Sequence, residues 1–215
     1  IIQMVSIFKS KWRKLKNNKE IMRPTILLVL AGMLFFFSNC KRGFMDRYGP
    51  FYVLNDSTVV MNGDMGSRIN IQFNKLLEKY PNIKLIIMEE CPGSRDDEKM
   101  FDAALTLHER KINTHLNANS IIESGAVDFY LSGDKRSKDA GAKIGVHAWS
   151  DGNMAATDLP ENDQEHQVYI NFYKNIGLTQ QEADSLYLFI INAASPENIH
   201  WMTETEINQF NITNN

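Results

Sequence analysis

Three short stretches carry the side chains and backbone groups of acyl-transfer chemistry. They are Ser124 with Gly125 directly after it, His147 at the end of Ile144-Gly145-Val146, and the turn Pro92-Gly93-Ser94. A serine hydroxyl is a poor nucleophile until a base takes its proton, and an imidazole titrating near neutrality can take that proton and return it to a leaving group. The N–H of Gly125 would be a first oxyanion donor, and the Gly93-Ser94 turn would provide a second. Among the five histidines only His147 ends an apolar strand with small neighbours, Gly145 and Ala148, on either side. Each stretch also has a plainer reading. Ser124 suits an ordinary helix N-cap, His147 a strand-end imidazole bonded to a carbonyl, and Gly93-Ser94 a simple strand-to-helix turn.

The elements that must position these groups follow from hydrophobic spacing. Ile83 to Met88 is an apolar run broken only by Lys84, as in a strand buried on both faces, and it delivers the chain to Glu89-Glu90-Cys91-Pro92-Gly93-Ser94. Asp96, Asp97 and Glu98 then lie where the macrodipole of a starting helix favours acids, with Met100, Phe101, Ala104, Leu105 and Leu107 as its inner face. Ile112 to Leu116 reads as a strand, Asn117 to Ser120 as a polar approach to Ser124, and Gly125 to Leu131 as a buried helix. A further strand spans Ala142 to Trp149. Upstream, Phe51 to Leu54 and Thr58 to Met61 make a hairpin or entry pair, and Ile69, Phe73, Leu76, Leu77 and Tyr80 repeat at helical spacing up to Pro81. Ser67 is placed to cap that helix. The C-terminal third reads as helical. One helix around Val168 to Ile176 ends at Gly177, a second is capped by Thr179 with Glu182 behind it, and a short last one opens on the Thr203/Glu206 capping box. Strand, turn and helix in repetition describe an α/β fold.

The order and spacing of the three stretches resemble the ClpP/crotonase-type superfamily, and more narrowly the ClpP-like exported proteins of bacteria. The resemblance rests on Pro92-Gly93-Ser94, on Ser124 running through small and apolar residues to Gly133, and on Ile144-Gly145-Val146-His147, and it spans roughly Thr58 to Thr213. It implies a spiral of ββα units with a helical C-terminal third. It also implies Ser124 as nucleophile, His147 as base, and a tendency to form homo-oligomers. In the family an acid orients the histidine from just before an aromatic-apolar-Ser/Thr sequence, which Trp201-Met202-Thr203 resembles. Here that position holds Glu197-Asn198-Ile199-His200 and no Asp, so Glu197 is the expected orienter, with Asn198, a bare Ser/His dyad, or Asp151 and Asp158 as alternatives. A second departure is Ser94, where the family usually has a second glycine.

With 215 residues, 43% hydrophobic and 23% charged, the chain reads as one globular domain plus an appendage. Ile26 to Phe37 is a run of twelve apolar or small residues between Arg23 and Ser38-Asn39-Cys40. As a helix it spans about 18 Å, short of a bilayer's hydrocarbon core of about 30 Å, so it reads as a signal-peptide h-region rather than a span. Followed by Cys40 it resembles a bacterial lipoprotein signal, although Phe37 and Asn39 depart from the usual box. The expected layout is a signal region over 1–39, lipidation at Cys40, a tether over 40–50 and a ClpP-like domain over 51–215. Met22 is the expected start, and a cationic tail on an uncleaved anchor is the other reading of the upstream residues. The expected location is the cell envelope or periplasm, membrane-anchored or secreted.

Seven of the 23 Lys and Arg precede Cys40 against one acid, Glu20, and the net charge is -3, so the body is acidic and nucleic acid is not an expected partner. Neither Cys40 nor Cys91 has metal-ligand spacing, and no P-loop or dinucleotide fingerprint is present, so no metal or cofactor is expected. Cys91 is expected to be a half-buried lone thiol. The leading expectation is a lipid-anchored serine hydrolase acting on a peptide or another acyl substrate. The alternative is a catalytically inactive envelope protein that keeps the fold as a binding or assembly platform, motivated by Ser94 and the missing Asp. A crotonase-like acyl-CoA enzyme is disfavoured, because an exported domain meets little CoA.

Overall fold

A computed structural model describes residues 43–214. The expected signal region and the expected lipidation site Cys40 lie outside the described residues.

Among the described residues eight strands form one sheet, in the order β1 (Asp46–Tyr48), β2 (Phe51–Asn55), β3 (Thr58–Met61), β4 (Leu85–Cys91), β5 (Asn113–Glu123), β7 (Lys143–Val146) and β8 (His200–Trp201), with β6 (Arg136–Lys138) also paired to β5. β1, β2 and β3 are antiparallel, joined between β2 and β3 by the Asp56-Ser57 turn, in which Asn55 Oδ1 accepts the Ser57 N–H. From β3 onward the neighbours run parallel, β3 to β4, β4 to β5, and β5 to both β6 and β7. Parallel neighbours need crossovers, and here these are helical. α1 (Ile69–Lys79) joins β3 to β4, α2 (Asp97–Glu109) joins β4 to β5, and α3 (Gly125–Leu131) leads from β5 towards β6 and β7. α4 (Gln164–Asn175), α5 (Gln180–Ala193) and α6 (Glu204–Gln209) make the C-terminal third helical, as its spacing suggests.

The core joins sheet and helices through Phe51, Phe73 and Phe129, whose rings approach pairwise to 5.1, 6.0 and 5.8 Å. Ile69, Phe73, Leu76 and Leu77 are the buried stripe of α1. Burying an aliphatic or aromatic side chain of this kind stabilises by about 1.5–3 kcal/mol. Both capping boxes read from the sequence are formed, Thr179 with Glu182 and Thr203 with Glu206.

Several expectations are corrected. Asp46–Tyr48, within the stretch read as tether, is a strand, because its register with Tyr52 and Val53 gives its backbone groups ladder partners. β5 runs unbroken through Asn117 to Ser120, where a polar approach is expected. Asn119 and Ser120 sit at an irregularity in the β4 pairing, and the Ser120 hydroxyl donates to the Met88 carbonyl at 2.6 Å. Arg68, not Ser67, is the N-cap of α1, and no side chain caps it. Of the apolar residues that mark α4, Val168 points outward, 49% exposed, while Ile170, Phe172 and Tyr173 are buried together with His166. Cys91 is buried rather than half-buried, its thiol facing the Met61 carbonyl at 3.5 Å, and burial pushes its pKa up to about 12.

β6 is flanked on its outer side by residues 211–214. The partly buried Arg136 guanidinium donates to the carbonyls of Gly133, Asn211 and Ile212, at 3.1, 2.9 and 2.9 Å. The Asn214 N–H donates to the Arg136 carbonyl at 3.1 Å.

Candidate active site

The parallel strands deliver their loops to one end of the sheet, and the chemistry-bearing residues collect there. β5 ends at Glu123, and Ser124 turns the chain into α3 with φ 54 and ψ −136. A positive φ costs a non-glycine residue of order 1–3 kcal/mol. Ser124 occupies the N-cap position of α3, yet its side chain makes no capping bond, so the plain N-cap reading does not account for it. Its own N–H donates to the Gly145 carbonyl at 3.0 Å, which ties the turn to β7 two residues before His147.

The Gly93-Ser94 turn lies against this corner. Gly93 has φ +126, and a Cβ built on it would meet Ser124 Cβ at 2.9 Å and Ser124 Oγ at 3.4 Å. Reciprocally, a Cβ on Gly125 would meet Ser94 Cβ at 3.0 Å. Two glycines therefore allow the two backbones to cross in contact, Gly93 on Ser124 and Ser94 on Gly125. The turn is held from its other side by Met65, whose N–H donates to the Gly93 carbonyl at 2.9 Å and whose carbonyl accepts from Arg95 at 2.8 Å. That pairing leaves the Ser94 N–H directed away from Met65, with no backbone acceptor among the described residues. Gly125 is the first residue of α3, where an N–H has no intrahelical acceptor. The N–H of Gly125 and, from the Gly93-Ser94 turn, that of Ser94 thus have no backbone acceptor among the described residues. The Ser94 hydroxyl donates to Asp97 Oδ1.

Half-buried His147 has Nδ1 2.8 Å from the Ala148 carbonyl. A carbonyl only accepts, so Nδ1 carries a proton, and in the neutral imidazole Nε2 then presents its lone pair. This is the tautomer a general base needs, and it is held by a backbone group. Glu197 is exposed, on the connection between α5 and β8, and makes no hydrogen bond or ion pair with His147. Asn198 bonds Ser195, at 2.9 Å. Asp151 and Asp158 are engaged in their own turns, accepting N–H groups of Asn153, Met154 and Ala155. None of the four acid or amide candidates orients the imidazole, and Ala148 fills that position.

Ser124, Gly125 and His147 line one small cavity of about 30 Å³, whose other walls include Asp97, Asp128, Trp149, Tyr169, Tyr173 and Tyr187. The sequence reading missed this second group. Tyr169 donates to Asp97 Oδ2 at 2.5 Å, Tyr173 to Asp128 Oδ1 at 2.7 Å, and Trp149 to the Tyr187 hydroxyl at 3.0 Å. Tyr169 stacks between Trp149 and Tyr187, at 5.6 and 5.7 Å. Burial above all, and then the neighbouring Asp97 charge, raise the Asp128 pKa to about 7 against the opposing Tyr173 hydrogen bond. A signal was present, since Asp128 is the one charged residue of α3 and follows Ser124 by one helical turn.

No protein-family model matches the sequence, and no curated protein matches it. Among solved structures the chain is similar to a mutant membrane-bound stomatin-specific protease in complex with a substrate peptide. That match has 16% identity, covers 73% of this chain and 72% of the other, and has a TM-score of 0.47. It is similar to ClpP1 from Listeria monocytogenes, with 12% identity, coverage of 74% and 89%, and a TM-score of 0.47. It is also similar to an enoyl-CoA hydratase from Geobacillus kaustophilus, with 13% identity, coverage of 78% and 67%, and a TM-score of 0.45.

Proposed function

We propose that the chain is a serine hydrolase of the ClpP-like type, acting on peptides or another acyl substrate through a Ser124–His147 dyad. The observation that carries the reading is the Ser124 corner. A non-glycine residue sits at positive φ between strand and helix, its hydroxyl caps nothing, and two unengaged N–H groups lie beside it. This is the backbone arrangement of a nucleophile elbow, where strain exposes the hydroxyl.

In the proposed reaction Ser124 Oγ attacks the substrate carbonyl carbon as His147 Nε2 takes the hydroxyl proton. The carbonyl oxygen becomes the oxyanion, held by the N–H groups of Ser94 and Gly125. As the tetrahedral intermediate collapses, the bond to the leaving group breaks and the leaving group takes the proton from Nε2. Water, giving a proton to the same nitrogen, then attacks the acyl carbon, and as the bond to Ser124 Oγ breaks that proton passes to Oγ, freeing the acid and restoring the dyad. The Ala148 carbonyl keeps the tautomer fixed but adds no full negative charge opposite the imidazolium, so catalysis is slower than with a buried carboxylate in that place. We further propose export and lipid attachment at Cys40, on the strength of the apolar run that precedes it.

Fluorophosphonate labelling tests the hydrolase reading. Wild type labels, and both Ser124→Ala and His147→Ala abolish it. A folded wild-type chain that does not label refutes the reading and favours the binding-platform alternative. Incorporation of labelled palmitate in bacterial cells, lost in Cys40→Ala, tests the anchor.

A further inference from the structure

The cavity beside Ser124 holds a carboxylate oxygen that the fold leaves without a partner. Asp128 is 7% exposed, and its Oδ1 accepts from Tyr173. No protein group donates to Oδ2, while among the described residues no sealed side-chain oxygen or nitrogen lacks a partner. Oδ2 therefore opens into the cavity that Asp128 shares with Ser124 and His147. The second carboxylate there, Asp97, already has a donor on each oxygen, Ser94 on Oδ1 and Tyr169 on Oδ2. Among the described residues no Lys or Arg lines the cavity, and apart from Ser124, Gly125 and His147 its remaining walls are Val127, Val146, Ile190 and aromatic side chains. Charges in so buried a setting interact more strongly than in water. A buried carboxylate without a countercharge is costly. The cavity's volume of about 30 Å³ suits a compact group such as ammonium better than the broader guanidinium or trimethylammonium.

We propose that this cavity is a specificity subsite for a primary ammonium group of the substrate, held by Asp128 Oδ2 within reach of the Ser124 nucleophile. The inference rests on the hydrolase reading for its placement beside the reacting carbonyl. Two sources supply the ammonium, the free α-amine of a terminal residue and the end of a lysine side chain. The subsite deepens the reading by preferring a primary ammonium to the guanidinium of arginine, which bears the same charge.

The test uses the full chain and two independent readouts. In the first, Ser124→Ala is titrated with methylammonium, guanidinium and tetramethylammonium by calorimetry. Methylammonium binds about tenfold or more tightly than the larger cations, and Asp128→Asn removes the difference. Equal binding of all three, or none, overturns the proposal and leaves a cavity that takes only water. This comparison is made within one protein, so it survives even if Asp128→Asn fails to fold. In the second readout, p-nitrophenyl esters of glycine, Nα-acetylglycine, Nα-acetyllysine and Nα-acetylnorleucine are hydrolysed by wild type. Preference for glycine over acetylglycine identifies the α-amine, and preference for acetyllysine over acetylnorleucine identifies the side chain. No preference in either pair overturns the proposal while fluorophosphonate labelling keeps the hydrolase reading. Selective methylammonium binding without labelling or ester hydrolysis sustains the subsite and removes the hydrolase.

Discussion

Replacing Asp128 by Asn has an effect whose sign and size follow from its surroundings. In the native protein burial, assisted by Asp97, raises this carboxyl from an ordinary 3.8 to about 7, although Tyr173 donates to it. The native state therefore keeps its proton across a window in which the unfolded chain has released it. Wherever the native state binds more protons, stability falls as pH rises. The contribution is full below the unfolded pKa of 3.8 and is lost progressively up to about 7. A shift of about three units corresponds to about 4 kcal/mol, at 1.36 kcal/mol per unit. Asparagine keeps the Oδ1 acceptor for the Tyr173 hydroxyl, matches the side chain in volume, and cannot ionise. At pH 4 the variant and wild type unfold at nearly the same temperature. At pH 8 the variant is more stable by about 4 kcal/mol, about 10 °C in Tm for a chain of this size. Circular dichroism melts at intervals between pH 4 and 9 measure the difference. A wild-type-to-variant gap that does not change over that range refutes the argument, since it means that Asp128 ionises alike in the folded and unfolded states.

Other substitutions separate the parts of the site. Gly93→Ala places a methyl group within 2.9 Å of Ser124 Cβ at a backbone φ of +126, and fluorophosphonate labelling falls by about a hundredfold, as for loss of an oxyanion donor. Ser94→Ala keeps the backbone N–H and removes only the bond to Asp97, so labelling persists, measured in the same gel assay. Glu197→Gln leaves the labelling rate unchanged, because the side chain is exposed and apart from His147; a marked fall restores Glu197 as the orienter. With Cys40 replaced by Ala, the remaining thiol Cys91 is silent towards a disulfide reagent at pH 8 until denaturant is added, since burial holds its pKa at about 12.

How far these features were legible depends on whether a residue's role is local. The helix of Ile69 to Tyr80 and the capping boxes at Thr179 and Thr203 are written in spacings of three and four residues, and they form as read. The corner residues Gly93, Ser124 and Gly125 were marked by position, each at the end of an apolar run. What escaped depends on partners distant in sequence. Asn117 to Ser120 look like a loop, and become strand because β4 and β7 flank β5 near that point. The group that orients His147 is the backbone carbonyl of Ala148, which has no side-chain signature. Asp97 reads as one of three first-turn acids, and only Tyr169, 72 positions later, reveals it as part of the cavity. Asp128 was absorbed into an apolar helix pattern, and its partner Tyr173 lies 45 positions on.

The carbonyls gathered by Arg136 bear on how the chain is made. β6 has β5 on one side, and on the other only residues 211–214, about 75 positions further along. During synthesis that flank stays open while α4, α5 and α6 are still emerging, and an open strand edge invites pairing with another nascent chain. Arg136→Ala leaves three carbonyls without their shared donor and prolongs the vulnerable interval. Its signature is a lower soluble yield at high expression, out of proportion to the change in melting temperature.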